Sequence, residues 1–320
     1  MQGRFAMGTA PAAGKVRIGI SGWRYAGWRG VFYPPKLPQR SELSFAANNF
    51  TSIEINGTHY SLQKPEYFAQ WATETPDDFV FAIKGSRFIT HMKKLRNVEE
   101  PLANFFAQGV LRLGKKLGPV LWQFPPQFVF EPVKLETFFK MLPRTMKQAA
   151  QLASGHGPKL QERAHTTVER GTAKQEIRHC VEIRHESFAV PEFIQLLRRH
   201  SIGSVVADTV EWPLLMDVTA DFVYCRLHGS EQLYASGYDD AALDLWADRV
   251  AAWARGDDAP SGRFACGEEC RKIPVRDVYV YFDNDMKVRA PFDAQGLRKR
   301  VEQRLVTQAT VEVTHLLESE

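Results

Sequence analysis

The chain has 320 residues, 44% of them hydrophobic and 24% charged, with a net charge of +4, which suits one large domain or two ordinary ones. No run approaches 18 consecutive apolar residues, so no membrane-spanning helix is expected. Seven Lys or Arg against three Asp or Glu from Arg144 to Arg178 account for the whole net charge, so the total does not describe a generally basic nucleic-acid-binding surface.

The first 15 residues, MQGRFAMGTAPAAGK, lack the apolar stretch of a secretion signal and are expected to form a disordered leader. Eight strand-like runs follow, each rich in β-branched or aromatic residues. They are VRIGIS (16–21), SIEIN (52–56), FVFAIK (79–84), PVLWQF (119–124), HCVEIR (179–184), GSVVAD (203–208), FVYCRL (222–227) and VYVYFD (278–283). Most are almost continuously apolar, as strands buried on both faces are. Helical patterns lie between most of them. SELSFAANNF follows the first strand and PEYFAQWATE the second. After the third, Leu102, Phe105, Phe106, Val110, Leu113 and Leu117 mark one long apolar stripe. A helix opens near Pro132, and PEFIQLLRRH follows the fifth strand with Pro191 at its first position. The gap after the sixth strand, WPLLMDV, leaves little room for a helix. Leu243, Trp246, Val250 and Trp253 mark the next helix, and a charged amphipathic segment runs from about Asp293.

This alternation predicts an α/β fold, a single TIM-type parallel (β/α)8 barrel over residues 16–305 with a C-terminal tail at 306–320. An open doubly wound sheet is the alternative. Residues 148–175, basic and poor in large apolar side chains, are expected to be a solvated insertion between helix four and strand five, or a basic flap near a polyanion. Cys180 and Cys225 fall inside strands, and the CxxxC spacing of Cys266 and Cys270 is no standard metal or redox motif. A reducing cytoplasm fits.

The familiar catalytic motifs fail. GVLRLGKK (109–116) has Lys116 where a phosphate loop needs Ser or Thr, and it falls in a helical pattern rather than after a strand. Nucleotide-loop, HExxH and GxSxG signatures are therefore missing. Polar residues gathered at strand ends remain: Trp23, Asn56, Tyr60, Lys84, His91, Gln123, Glu182, Arg184, His185, Asp208, Arg226, His228, Asp283 and Asn284. A barrel would bring these ends into one carboxyl mouth. There Lys84, Arg184 and Arg226 could hold phosphate oxygens. Glu182, Asp208 or His228 could move a proton, and the seven tryptophans and the aromatic-rich first loop, Trp23 among them, could stack on bases. The competing reading makes Glu54, Glu182, Arg184 and Arg226 a buried structural ion network. A divalent metal is compatible with these residue types, although no spacing requires one, so the cofactor stays open and no metal ligand is assigned.

Seven segments together resemble the YecE-like family, also called domain of unknown function 72. They are SGWRYAGWRGVFYP (21–34), EINGTHY (54–60), TPDDFVFAIKGSRFITH (75–91), LGPVLWQFPPQF (117–128), EIRHESF (182–188), YCRLHG (224–229) and YFDND (281–285). The resemblance implies a TIM-type barrel and no settled reaction. His59 departs from the aromatic residue that the family more often has there. The expected function is binding of a phosphate-bearing small molecule or nucleic acid at the mouth, with phosphoester hydrolysis as the enzymatic form. Endonuclease-IV-type barrels supply a fold analogy for that form. A non-catalytic anion- or nucleic-acid-binding module is the alternative, and a sugar-phosphate isomerase or lyase a third reading. No membrane partner is expected.

Overall fold

Apolar runs buried on both faces need cover on each side, and a closed parallel barrel supplies it without leaving an edge, with helices outside and the side chains of the other strands inside. The computed structural model describes residues 13–229, 233, 236–266 and 275–318. The strands are β1 (Val16–Ser21), β2 (Ser52–Ile55), β3 (Val80–Lys84), β4 (Leu117–Gln123), β5 (His179–Glu182), β6 (Gly203–Asp208), β7 (Phe222–Leu227) and β8 (Asp277–Phe282). They close into one parallel barrel in sequence order. β8 returns to β1 with Val16 opposite Val278 and Ile20 opposite Phe282. The expected fold is therefore present, with strand ends shifted by one or two residues.

Helices α1 (Glu42–Asn49), α2 (Gly57–Tyr60), α3 (Pro65–Thr73), α4 (Glu99–Ala107), α5 (Pro132–Met141), α6 (Met146–Ala153), α7 (Pro191–Arg199), α8 (Asp240–Ala254) and α9 (Ala290–Glu318) lie between or after the strands. No helix follows β6. There Trp212, Leu215 and Met216 are buried in an irregular segment, and Met216 N–H bonds to the Arg263 carbonyl. Among the described residues no helix is long and apolar enough to cross a membrane.

Successive strand residues alternate between the barrel interior and the helix layer. Ala82, Cys180, Val205, Ala207, Tyr224 and Tyr281 pack together inside. Two residues further along, the same parity places Lys84, Glu182, Arg226 and Asp283 on the interior side of the carboxyl mouth. It sends Asp208 and Asn284 outward.

Three expectations change. The long stripe after β3 is not one helix. α4 stops at Ala107, and Val110–Lys116 continues in 3-10 turns. Gly109 causes the break: its φ is 120°, and an added Cβ would lie 2.4 Å from the Pro65 Cα. Residues 148–175 are not a solvated excursion. α6 opens with a reciprocal capping box between Thr145 and Gln148, and Met146, Ala149, Ala153, Leu160 and Thr172 are buried. The C-terminal segment is helical through Glu318 rather than a separate tail. Residues 1–12 of the expected leader and Cys270 lie outside the described residues.

Candidate functional site

The mouth is organised around Arg226, whose side chain is fully buried. Its Nε and Nη2 donate to the two oxygens of Glu54 at 3.1 and 3.0 Å, and its Nη1 donates to Glu182 Oε2 at 2.7 Å. Nη2 also donates to Asp283 Oδ2 at 2.8 Å and to Ser21 Oγ at 3.2 Å. A guanidinium forks in one plane, so three carboxylates on three elements can share it. Glu54 also accepts from Ser21 Oγ at 2.5 Å and Tyr224 Oη at 2.6 Å. Glu182 Oε1 accepts from Gln123 Nε2 and Arg184 Nε, each at 2.8 Å, and the Arg184 guanidinium lies 4.0 Å over the Trp212 ring. His228 Nδ1 stands 3.2 Å from Asp283.

These contacts set the charge states. Burial alone would raise the Glu182 carboxyl, but Arg226 and Arg184 reverse that and hold it well below the usual range. Burial likewise opposes Asp283, and Arg226 with His228 hold it low. Both stay ionised and paired, so Glu182 is poorly suited to give up a proton. Among the described residues no group of three or more His, Cys, Asp or Glu is arranged to hold a metal ion. The position between the three carboxylates belongs to the Arg226 guanidinium.

Lys84 is the contrasting cation. It ends β3, is only 7% exposed, and its ammonium makes no hydrogen bond or ion pair with any described residue. Burial first, then the Arg226 guanidinium, lowers its pKa to about 8 against the opposing pull of Glu54, Asp283 and Glu182. The backbone around it is firmly held. Thr58 Oγ1 donates to the Lys84 carbonyl at 2.7 Å, and His59 Nδ1 donates to the Gly85 carbonyl at 2.8 Å. Position 85 must be glycine, because a Cβ there would lie 2.3 Å from the Trp122 ring.

Two further polar atoms near this cluster lack partners among the described residues. The Ser21 hydroxyl gives its one proton to Glu54, so it receives the Asn56 amide N–H at 3.0 Å. That fixes the amide and leaves the buried Asn56 Oδ1 without a donor. Trp212 Nε1 is also buried and unmatched. Such groups are costly to leave unmade.

The loop after β3 forms part of the rim. Phe88–Met92 makes one π-type turn, and Lys94, Leu95 and Asn97 adopt φ of 48°, 64° and 50°. Left-handed residues without glycine cost roughly 1–2 kcal/mol each. Leu95 is buried while Arg87, Phe88, Met92, Lys93, Lys94 and Arg96 are exposed. Tyr60, 68% exposed, lies on the neighbouring α2. The His59 and His91 rings meet at 5.2 Å. Burial lowers His59 to about 3 and His91 to about 4, with Lys84 adding to the first and Arg184 to the second. Both are neutral near pH 7.

The sequence-derived residues thus divide. Glu182, Arg226, Asp283, Gln123, Arg184 and His228 meet in one hydrogen-bonded or ion-paired cluster, with Asn56 joined through Ser21; Lys84 and His91 border it. Arg226, expected as a ligand donor, has its donors taken by protein. Asp208 turns outward, where Trp246 Nε1 donates to it at 3.0 Å. Asn284 also turns away, donating to Asp293 at 2.8 Å. His185 Nδ1 accepts the Ser187 N–H at 3.1 Å and shapes its own loop. Trp23 is buried edge-on to Trp71 at 5.4 Å. Sequence reasoning passed over Ser21, Trp212 and Asp285 as site residues. Asp285 follows β8, and burial with Asp283 nearby raises its carboxyl to about 6. The run of three polar residues after β8 was the available signal for it.

The family model described as "Protein of unknown function DUF72" matches residues 17–315. UPF0759 protein YunF of Bacillus subtilis is 30% identical over 118 residues, 35% of this chain and 41% of that protein. UPF0759 protein YecE of Escherichia coli K12 is 28% identical over 113 residues, 35% of this chain and 39% of that protein. The chain therefore aligns with about two fifths of the length of these curated relatives. A DUF72 family protein from Thermotoga maritima has a similar structure, with TM-score 0.67 and 25% identity, covering 90% of this chain and 99% of that one. Another, from Enterococcus faecalis, gives TM-score 0.64 at 16% identity, covering 90% and 95%, and supports the fold alone.

Proposed function

The chain belongs to the DUF72 family, and from that premise we propose that its carboxyl mouth binds a phosphate-bearing ligand, with Lys84 as the deepest contact. The single observation that carries this reading is the open ammonium of Lys84 beside a saturated Arg226. A nearly buried cation with three unused donors calls for an acceptor from outside the chain. Arg87, Lys93, Lys94 and Arg96 supply further positive charge on the rim, and the loop from 84 to 98 contains no acid. Arg226 serves as the frame that holds the carboxylates. Phosphoester hydrolysis is the second reading, favoured by Asp285, whose carboxyl is raised to about 6 by burial and then by Asp283, toward the range useful for proton transfer. Nucleic acid is the larger form of the same ligand chemistry, with exposed Phe88 and Tyr60 as stacking surfaces. The buried thiols of Cys180 and Cys225 fit a reducing compartment such as the cytoplasm.

The test is calorimetric titration of glycerol 3-phosphate and a short single-stranded oligonucleotide into wild type, Lys84→Gln and Lys93→Gln. We expect Lys84→Gln to weaken glycerol 3-phosphate binding at least about tenfold, the loss of one charge-assisted contact. Lys93→Gln should mainly flatten the salt dependence of oligonucleotide binding. Unchanged affinity in Lys84→Gln would remove the assignment.

A further inference from the structure

We propose that Lys84 captures a carbonyl: its side-chain amine forms an imine with the aldehyde or ketone carbon of a phosphorylated sugar seated in the mouth. The inference rests on the reading of the mouth as a ligand site and adds the class of ligand and the bond made there. Three features of position support it. Lys84 stands at the carboxyl end of a barrel strand, where chemistry is done in this fold. Its nitrogen is tied to no described residue, so a carbonyl carbon can approach without breaking a native contact. Its carbonyl and the next one are clamped by Thr58 and His59, so the strand end is fixed.

The charges facing the nitrogen come from every side. Arg226 on β7 disfavours the ammonium; Glu54 on β2, Glu182 on β5 and Asp283 after β8 favour it, and His59 and His91 are neutral. Burial tips the balance toward the amine, with pKa about 8, so a useful fraction is nucleophilic near neutrality. The step balances without a further reagent. The nitrogen lone pair forms the C–N bond as the carbonyl π pair moves to oxygen. The two protons lost from nitrogen then leave with that oxygen as one water, and a C=N bond remains. The phosphate end of the ligand points to the loop cations at the rim.

The full chain is incubated with glyceraldehyde 3-phosphate, reduced with sodium cyanoborohydride and mapped by peptide mass spectrometry. We expect one adduct, on Lys84, at least tenfold above any other lysine. Its yield should rise with pH to an inflection near 8 and fall when glycerol 3-phosphate, which has no carbonyl, competes. Lys84→Arg, checked for native circular dichroism, should give no adduct. Adducts spread evenly over surface lysines, or none on Lys84 although glycerol 3-phosphate binds, would overturn the imine and leave the binding reading standing. Absence of glycerol 3-phosphate binding would instead overturn the binding reading itself.

Discussion

Arg226 and Lys84 are two buried cations in one mouth, and the difference between them is what each touches. Arg226 has Glu54, Glu182 and Asp283 within 3.1 Å. Removing its charge leaves three carboxylates facing one another in low dielectric. Arg226→Gln should therefore cost about 3–5 kcal/mol of stability, read from urea unfolding; a loss under about 1 kcal/mol would mean the network is more solvated than its geometry implies. Lys84 behaves oppositely. Its fold lowers the pKa from 10.5 to about 8, so holding the charge opposes folding. Lys84→Met should stabilise the unliganded chain at pH 7 by on the order of 2 kcal/mol. The sign with pH follows. Between pH 8 and 10.5 the unfolded chain binds more protons than the folded one, so the wild type gains stability as pH rises through that window. The gap between wild type and Lys84→Met should close over the same window, and a gap that stays constant would contradict the shift.

At the scale of elements, the strands were legible because each is a short β-branched or aromatic run with helical periodicity on either side. The sixth crossover was legible too: WPLLMDV is too short to wrap a helix, and the structure fills the space with buried Trp212, Leu215 and Met216. The segment after α5 was misread for a physical reason. The buried residues of α6, Met146, Ala149 and Ala153, keep helical spacing, but two of the three are alanines, so the stripe carries little apolar weight, although the Thr145–Gln148 capping box is a readable start signal. Leu160 is 0% exposed. Leu160→Ala should cost about 2–4 kcal/mol, whereas a solvated excursion would lose under about 0.5 kcal/mol on chemical unfolding. Asp208 and Asn284 were misplaced by one residue of strand parity. Counting alternate positions from Ala207 and Tyr281 sends both outward, and the sequence contains that information once the interior face is known.

For the whole molecule, barrel closure makes the site. Glu54 and Arg226 are 172 residues apart in sequence, and only the return of β8 to β1 brings the ends of β2, β5, β7 and β8 around one guanidinium. The membership of the mouth could be read from strand ends. The division of labour could not, because which cation is saturated depends on distances across the barrel. Arg226, Arg184 and Lys84 face Glu54, Glu182 and Asp283, so the charges balance while the hydrogen bonds do not. Among the described residues Lys84 Nζ, Asn56 Oδ1 and Trp212 Nε1 have no hydrogen-bond partner. A ligand that fills the mouth should meet them together. The most direct measurement is the electron density in the mouth of a crystal of the full chain soaked with a sugar phosphate. Density bonded to, or within hydrogen-bond reach of, Lys84 Nζ, with Arg226 still held by its three carboxylates, is the expected result. A mouth holding only water, or Lys84 turned into an ion pair with Glu182 or Asp283, would contradict it.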